Sequence, residues 1–258
     1  RRGERIGGVR MELRSGNSDE GNILFVEDGR NSGIRFVSGT MVRHAFPAHL
    51  HRSACFGVIA GGEAVLEISG GERLLRAGDR YAIPAMRSHA LRPIGGGWFS
   101  HRVFGTDPGR CREIARRLRH VIGTELPGEW PDGFADAERA ASAIPSAFRE
   151  ILAVFENEPE REWRLQELAS QFGMQPASFS RAFSREVGMP VTQYLLLAKV
   201  WKSARMLEEG AAIPDAAFDA GFADQSHLCR VFHRYMGVAP SVFRRNLLRP
   251  DGLTAVRD

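Results

Sequence analysis

The sequence predicts an α+β chain of two domains, an N-terminal antiparallel β-barrel followed by an all-α domain in which a long helix joins two helix-turn-helix units. Three observations carry this prediction. Short β-rich runs fill roughly the first 105 residues, with glycine pairs and prolines at about ten-residue spacing. From Ile144 onward the apolar spacing becomes helical. Within that second part, residues 165–190 and 213–240 repeat one pattern of glycine, alanine, phenylalanine and arginine.

In the barrel, "CFGVIAGGEAVLEIS" reads as strands broken by Gly61-Gly62 and Gly70-Gly71, and "GDRYAIP" as a strand closed by Pro84. His49-Leu50-His51 is expected to put two imidazoles on one side of a strand, because alternate residues share a face. His89 follows the Gly78 to Pro84 strand, while His44 and His101 are expected to be satisfied locally. Residues 1–108 form this domain. Residues 109–143 follow as an amphipathic helix and a linker rich in proline, glycine and small residues. The helix has Ile114, Leu118, Val121 and Ile122 on one face and arginines on the other. Such a helix needs a partner, either the open side of its own barrel or its copy in a dimer.

The α domain spans 144–250, with "PSAFREILAVFENEP" as its first helix and 251–258 as a tail. Leu165, Leu168, Ala169 and Phe172 lie at i, i+3, i+4 and i+7, and Ile213, Ala216, Ala217 and Ala220 repeat that face. Gly173 and Gly221 follow where each helix must end and the chain turn sharply. Beyond the turns, Phe179-Ser-Arg181-Ala-Phe183 aligns with Leu228-Cys-Arg230-Val-Phe232, and Gly188 with Gly237. In each copy the apolar pair at i and i+4 faces inward, so the arginine between them faces outward. The units run from about 165 to 188 and from 213 to 237. Between them Leu197, Val200, Ala204 and Leu207 stripe a helix opened by Pro190 and closed before Gly210. At about 18 residues it would be roughly 27 Å long, against about 34 Å between successive major grooves on one side of DNA.

Composition sets bounds. The chain has 258 residues, 35 basic and 31 acidic, for a net charge of +4. From residue 141 onward basic and acidic side chains balance at 14 each, so overall charge gives DNA binding no support. Local clustering does: between Gln225 and Pro250 there are five arginines, two histidines and no acid. No run approaches 18 apolar residues, which excludes a spanning helix and a membrane partner. Cys55, Cys111 and Cys229 are too few and too scattered for a disulfide framework or a zinc knuckle, which fits a reducing cytoplasm. The arginines after Arg1 precede no apolar run, so no secretory signal is expected.

The run "GFADQSHLCRVFHRYMGVAPSVFR", with the weaker "FGMQPASFSRAFSREVGMPVTQY", resembles the DNA-binding domain of the AraC/XylS family of bacterial transcription regulators. The second string departs at Pro176 and Ala177, where the family often has polar residues. The resemblance implies that Ala177, Ser180 and Arg181 in the first unit, and Ser226, His227 and Arg230 in the second, face bases of double-stranded promoter DNA. An arginine suits guanine because its planar fork meets O6 and N7 together. Ser178, Ser184, Arg185, Gln225, Arg234, Arg244 and Arg245 are placed for phosphates. The plain alternative for any one arginine is a solvated helix face, and the repeat argues against it at Arg181 and Arg230. The resemblance also favours a homodimer through residues 114–122, a small-molecule or metal effector, and contact with RNA polymerase in an activator.

The N-terminal segments resemble the two cupin motifs, whose metal-binding form has two histidines and a glutamate in the first motif and a histidine in the second. Here His49, His51 and His89 match, the glutamate position at Cys55 or Phe56 is not acidic, and Met86 replaces the usual glycine. The resemblance thus implies a cupin-like effector domain with a candidate divalent transition metal at three histidines. A metal-dependent cupin enzyme with a DNA-binding tail is the alternative reading.

Overall fold

The computed structural model describes residues 4–6, 9–11, 22–27, 35–68, 70–106 and 144–248. The predicted amphipathic helix with Ile114, Leu118, Val121 and Ile122, the linker and the tail lie outside the described residues. The N-terminal part is a curled antiparallel sheet, a half-barrel, built from β3 (Asn22–Glu27), β4 (Arg35–Val42), β5 (Phe46–His49), β6 (Ala54–Ile68), β7 (Gly71–Arg76), β8 (Arg80–Ile83), β9 (His89–Pro93) and β10 (Phe99–Thr106). A separate hairpin pairs β1 (Glu4–Ile6) with β2 (Val9–Met11).

The sheet is organised by β6. Its first half pairs with β8 and its second half with β7 and β9, while β10 runs alongside and carries β4 and then β3. The expected break at Gly61-Gly62 does not occur, because the glycines are absorbed as a bend inside one 15-residue strand. Opposite Ser100 and His101 of β10, both neighbours carry an irregularity, the register jumping from Gly61 to Ile59 on β6 and from Val42 to Gly39 on β4. An extra residue on one strand increases twist and bends it. Two at the same level curl the sheet, and the bulged Met41 N–H, at φ 52, donates to Ser100 Oγ at 2.9 Å.

Two large polar rings fill the concave side because glycines face them. A Cβ at Gly57 would lie 2.1 Å from the Tyr81 ring, and one at Gly39 would lie 2.6 Å from His101. With Val42, Leu50, Ile59, Leu66 and Phe99 they form a nearly solvent-free interior.

The C-terminal part is α1 (Ser146–Asn157), α2 (Leu165–Gln171), α3 (Pro176–Val187), α4 (Val191–Glu208), α5 (Ile213–Asp219), α6 (Gln225–Met236) and α7 (Pro240–Asn246). The connecting helix α4 has 18 residues, as its apolar stripe predicts, and Leu197, Val200, Ala204 and Leu207 are all buried. The first unit packs on rings: Phe148, Phe155, Phe172, Phe179, Phe183 and Tyr194 stand in successive pairs with centroids 5.0–6.3 Å apart. Each such pair contributes about 0.5–1.5 kcal/mol beyond area burial. The second unit packs instead on small residues, with Ala216, Ala217 and Ala220 buried alongside Leu228 and Phe232. Leu165, expected on the inner face of α2, is 40% exposed, because it opens the helix ahead of the turn that Leu168 and Ala169 bury.

The two parts are stitched together. After α7 the strand β11 (Leu247–Leu248) pairs in parallel with β3, and Asn246 Nδ2 donates to the Ile23 carbonyl at 2.8 Å. The end of α6 packs against β5, where His44 Nε2 donates to the Arg234 carbonyl at 2.9 Å and stacks edge-on with His233. His44 meets the nearby Phe46 ring edge-on at 4.8 Å, but its Nε2 partner is 190 residues away, so the expected local satisfaction holds only in part.

Candidate nucleic-acid interface and histidine cluster

Each helix-turn-helix unit is set by a turn and a cap. Gly173 and Gly221 adopt φ 62 and 75, the left-handed conformation that their positions after α2 and α5 require. Gly188 and Gly237 close α3 and α6 in the same conformation, with N–H groups bonded to Ser184 and His233 carbonyls. Only the N-terminal ends differ. Asp224 Oδ1 accepts from the His227 N–H at 2.7 Å and caps α6, whereas α3 has Pro176 in its first turn and no side-chain cap.

On α3, Phe179, Ala182 and Phe183 are buried while Ala177, Ser178, Arg181 and Arg185 are exposed and Ser180 and Ser184 half-buried. On α6, Leu228, Val231 and Phe232 are buried while Gln225, Ser226, Arg230 and Arg234 are exposed. Arg181 and Arg230 thus point outward from between buried pairs, at equivalent positions of the two units. Arg181 Nη2 donates to Ser178 Oγ at 3.4 Å, and Arg185 is paired with Glu186 at 2.8 Å. His227 is half-buried with its ring edge-on to Phe222 at 5.3 Å. Arg244 and Arg245 are exposed in the last turn of α7, and Arg234 lies with its guanidinium 5.8 Å from the Tyr235 ring centre.

The three histidines of the barrel come together. β5 ends at His49, which lies opposite His89 at the start of β9. His51 stands beyond the strand rather than on its face, and its ring reaches the cluster from the following loop. Ring centres are 4.2 Å apart for His49 and His89, 4.8 Å for His51 and His89, and 6.0 Å for His49 and His51. One ring nitrogen of each lies within 4.8 Å of the others. All three rings are oriented alike: Nδ1 bonds a backbone carbonyl two residues away, that of Pro47 at 2.8 Å, Ser53 at 2.7 Å and Arg87 at 2.9 Å. A carbonyl only accepts, so Nδ1 carries the proton and Nε2 is left with its lone pair. Burial, helped by the neighbouring His51, pushes His49 down to about 4. Burial also lowers His51, and burial with both neighbours lowers His89 well below the usual histidine range. The cluster is neutral at physiological pH.

Met86, where the cupin motif has glycine, adopts φ 58, the conformation glycine takes most easily, and its N–H donates to the His51 carbonyl at 2.8 Å. Cys55 Sγ lies 3.7 Å from His51 Nδ1, near the position of the absent glutamate. His101 is partnered on one side only. Its Nδ1 is 3.3 Å from the Tyr81 hydroxyl, and its buried Nε2 has no partner among the described residues.

Sequence reasoning missed the junction around the cluster. A cleft of about 490 Å³ is lined by Met86, Arg87, Ser88 and His89 and by Arg185 and Gly188 at the end of α3. Gln193 of α4 donates to the Ala48 carbonyl, and Arg52 pairs with Glu156 of α1 at 2.9 Å. No local pattern marks these residues, because each is defined by its partner in the other domain.

Two family models match the chain: an AraC-like ligand binding domain over residues 31–173 and a helix-turn-helix domain over 168–246. Among relatives, the HTH-type transcriptional activator RhaS of Klebsiella pneumoniae is 26% identical over 152 residues, 51% of this chain and 55% of that protein. An uncharacterized HTH-type transcriptional regulator of Bacillus subtilis, YbfI, is 21% identical over 72% of this chain and 82% of its own. Matches to a Haemophilus influenzae regulator and to AraC-like regulators of Streptomyces antibioticus and Streptomyces lividans span only 33%, 40% and 37% of those proteins. ToxT of Vibrio cholerae has the same fold, with a TM-score of 0.53 at 13% identity over 83% of this chain and 99% of that one. No described helix is long and apolar enough to cross a membrane. With a ligand-binding model and a helix-turn-helix model covering consecutive parts of it, the chain belongs to the AraC family.

Proposed function

We propose that this chain is an effector-controlled, sequence-specific regulator of transcription that binds double-stranded promoter DNA. The observation that carries this reading is the paired outward placement of Arg181 and Arg230 on two capped helices, held apart by the 18 residues of α4. Ala177, Ser180, Arg181, Ser226, His227 and Arg230 read bases. Ser178, Ser184, Arg185, Gln225, Arg234, Arg244 and Arg245 hold phosphates and fix register. At about 27 Å for α4, the two heads suit neighbouring major grooves of one DNA face.

The N-terminal half-barrel is the effector domain. Solved ToxT with an unsaturated fatty acid bound is a precedent for ligand binding in this fold. An effector acts by binding one arrangement of the two domains better than another, shifting the equilibrium by its differential affinity. The protein acts as a cytoplasmic homodimer through Ile114, Leu118, Val121 and Ile122. Relatives named transcriptional activators support an activating role, in which this protein would work with RNA polymerase.

The test is fluorescence anisotropy with a duplex from the region upstream of its own gene, at a matched series of salt concentrations, using the chain and its Arg181→Ala, Arg230→Ala double variant. Specific, salt-sensitive binding that the double variant loses is expected, each bidentate arginine contributing about 1–3 kcal/mol of discrimination. Equal weak binding by both proteins would overturn the reading.

A further inference from the structure

We infer that His49, His51 and His89 are the ligands of a divalent transition metal, and that this metal is the effector whose occupancy the reading heads sense. The inference rests on the regulator reading and names the effector of that same domain.

Three neutral imidazoles are brought together with one orientation. Each Nδ1–H is engaged by a backbone carbonyl of its own loop, at 2.7–2.9 Å, so each ring is locked in the tautomer that presents Nε2 as a lone pair. Histidine ligands of metals are held in this way, the second nitrogen donating to a carbonyl or carboxylate. A zinc ion with bonds of about 2.0–2.1 Å sets tetrahedral nitrogens about 3.4 Å apart. One ring nitrogen of each histidine lies within 4.8 Å of the others, so small movements of three loops would complete the site. Imidazole donors without a carboxylate suit zinc, copper or nickel rather than calcium or magnesium. His89, though not His49 or His51, borders the 490 Å³ cleft, the side from which an ion would approach the cluster.

The coupling to DNA follows from the neighbours. Ala48, beside His49, accepts from Gln193 of α4. Arg52, beside His51, pairs with Glu156 of α1, which also accepts from the Tyr194 hydroxyl of α4. Ser88, beside His89, packs against Gly188 at the end of α3, where an added Cβ would lie 3.1 Å from its own. Every ligand thus adjoins a residue that touches the helical domain, at α1, α4 and the end of the first reading helix. Drawing the three loops together on one ion moves all three contacts at once.

The experiment uses the full chain, stripped with a chelator and checked by circular dichroism. Zinc is titrated by calorimetry, cobalt by its visible spectrum, and the upstream duplex is bound with and without zinc. One equivalent of either metal is expected, with tetrahedral cobalt bands. Binding should weaken at least about tenfold in His49→Ala or His89→Ala and be unchanged in His44→Ala. Zinc should change duplex affinity by about fivefold or more. Gln193→Ala with Arg52→Ala should keep the metal and lose most of that change. A folded protein that takes up no stoichiometric metal, or binds it equally without His49 and His89, overturns the site. Metal binding that leaves duplex affinity unchanged overturns the effector role. Arginine-dependent duplex binding in a chain that takes no metal would sink this inference and leave the regulator reading standing. Histidine-dependent metal binding in a chain that never binds the duplex specifically would sink the regulator reading, and the effector role with it.

Discussion

Gly173 and Gly221 occupy equivalent turns of the two repeats, yet replacing each by alanine should have unequal effects. Both have left-handed backbones, at φ 62 and 75. That conformation costs a residue with a Cβ about 1–2 kcal/mol, offset by about 0.4–1 kcal/mol because the unfolded chain loses freedom. Gly173→Ala, with no atom within 4 Å of the new Cβ, should therefore cost about 1 kcal/mol. At Gly221 the new Cβ would lie 2.5 Å from Glu160 Cα and 2.9 Å from Glu160 Cβ. Neither side can easily give way: Lys199 Nζ holds the Gly221 carbonyl at 2.6 Å, and Lys202 Nζ holds Glu160 at 2.7 Å. Overpacking adds about 1–3 kcal/mol, so Gly221→Ala should cost about 2–4 kcal/mol. For a chain of this size the expected falls in Tm are about 2–4 °C and about 4–16 °C. Thermal unfolding followed by circular dichroism at one scan rate measures both. Equal losses, or a larger one at Gly173, would refute the steric argument.

Asp224→Ala removes the one side-chain cap on a reading helix and should cost about 1 kcal/mol, seen as faster amide exchange in the first turn of α6; no change there would show the cap to be idle. Arg230→Ala should relax base preference at one position, whereas Arg244→Ala with Arg245→Ala should weaken all sequences alike and flatten the salt dependence; a competition series over base-substituted duplexes separates the two, and identical profiles would count against the assignment. Burial lowers His101 from 6.5 to about 4, so between those values the unfolded chain binds a proton that the folded chain does not. Stability from this group is complete above pH 6.5 and falls by up to about 3 kcal/mol as the pH drops to 4. Denaturant midpoints of the chain and of His101→Gln across that range should converge toward acid pH, and parallel curves would exclude the mechanism.

The features legible in the sequence are those encoded over a few residues. Helical periodicity sets the inward pairs Phe179 with Phe183 and Leu228 with Phe232, and so sends Arg181 and Arg230 outward. A turn that demands positive φ selects Gly173 and Gly221, and Pro190 and Gly210 bracket the 18 residues of α4. In the barrel, the spacing of His49 and His51 and the place of His89 after a strand foretold the cluster, though not that His51 would leave the strand. The tertiary structure decided what depends on distant partners. The register of β6 against β8 and β10 turned Gly61-Gly62 from a break into a bend. Parallel pairing of β11 with β3, the grip of His44 on the Arg234 carbonyl, and the contacts of Ala48, Arg52 and Ser88 with α4, α1 and Gly188 join residues with no common local pattern. Short-range periodicity constrains only the next turn or pleat of the chain, whereas these contacts exist only once the half-barrel and the helices have packed together.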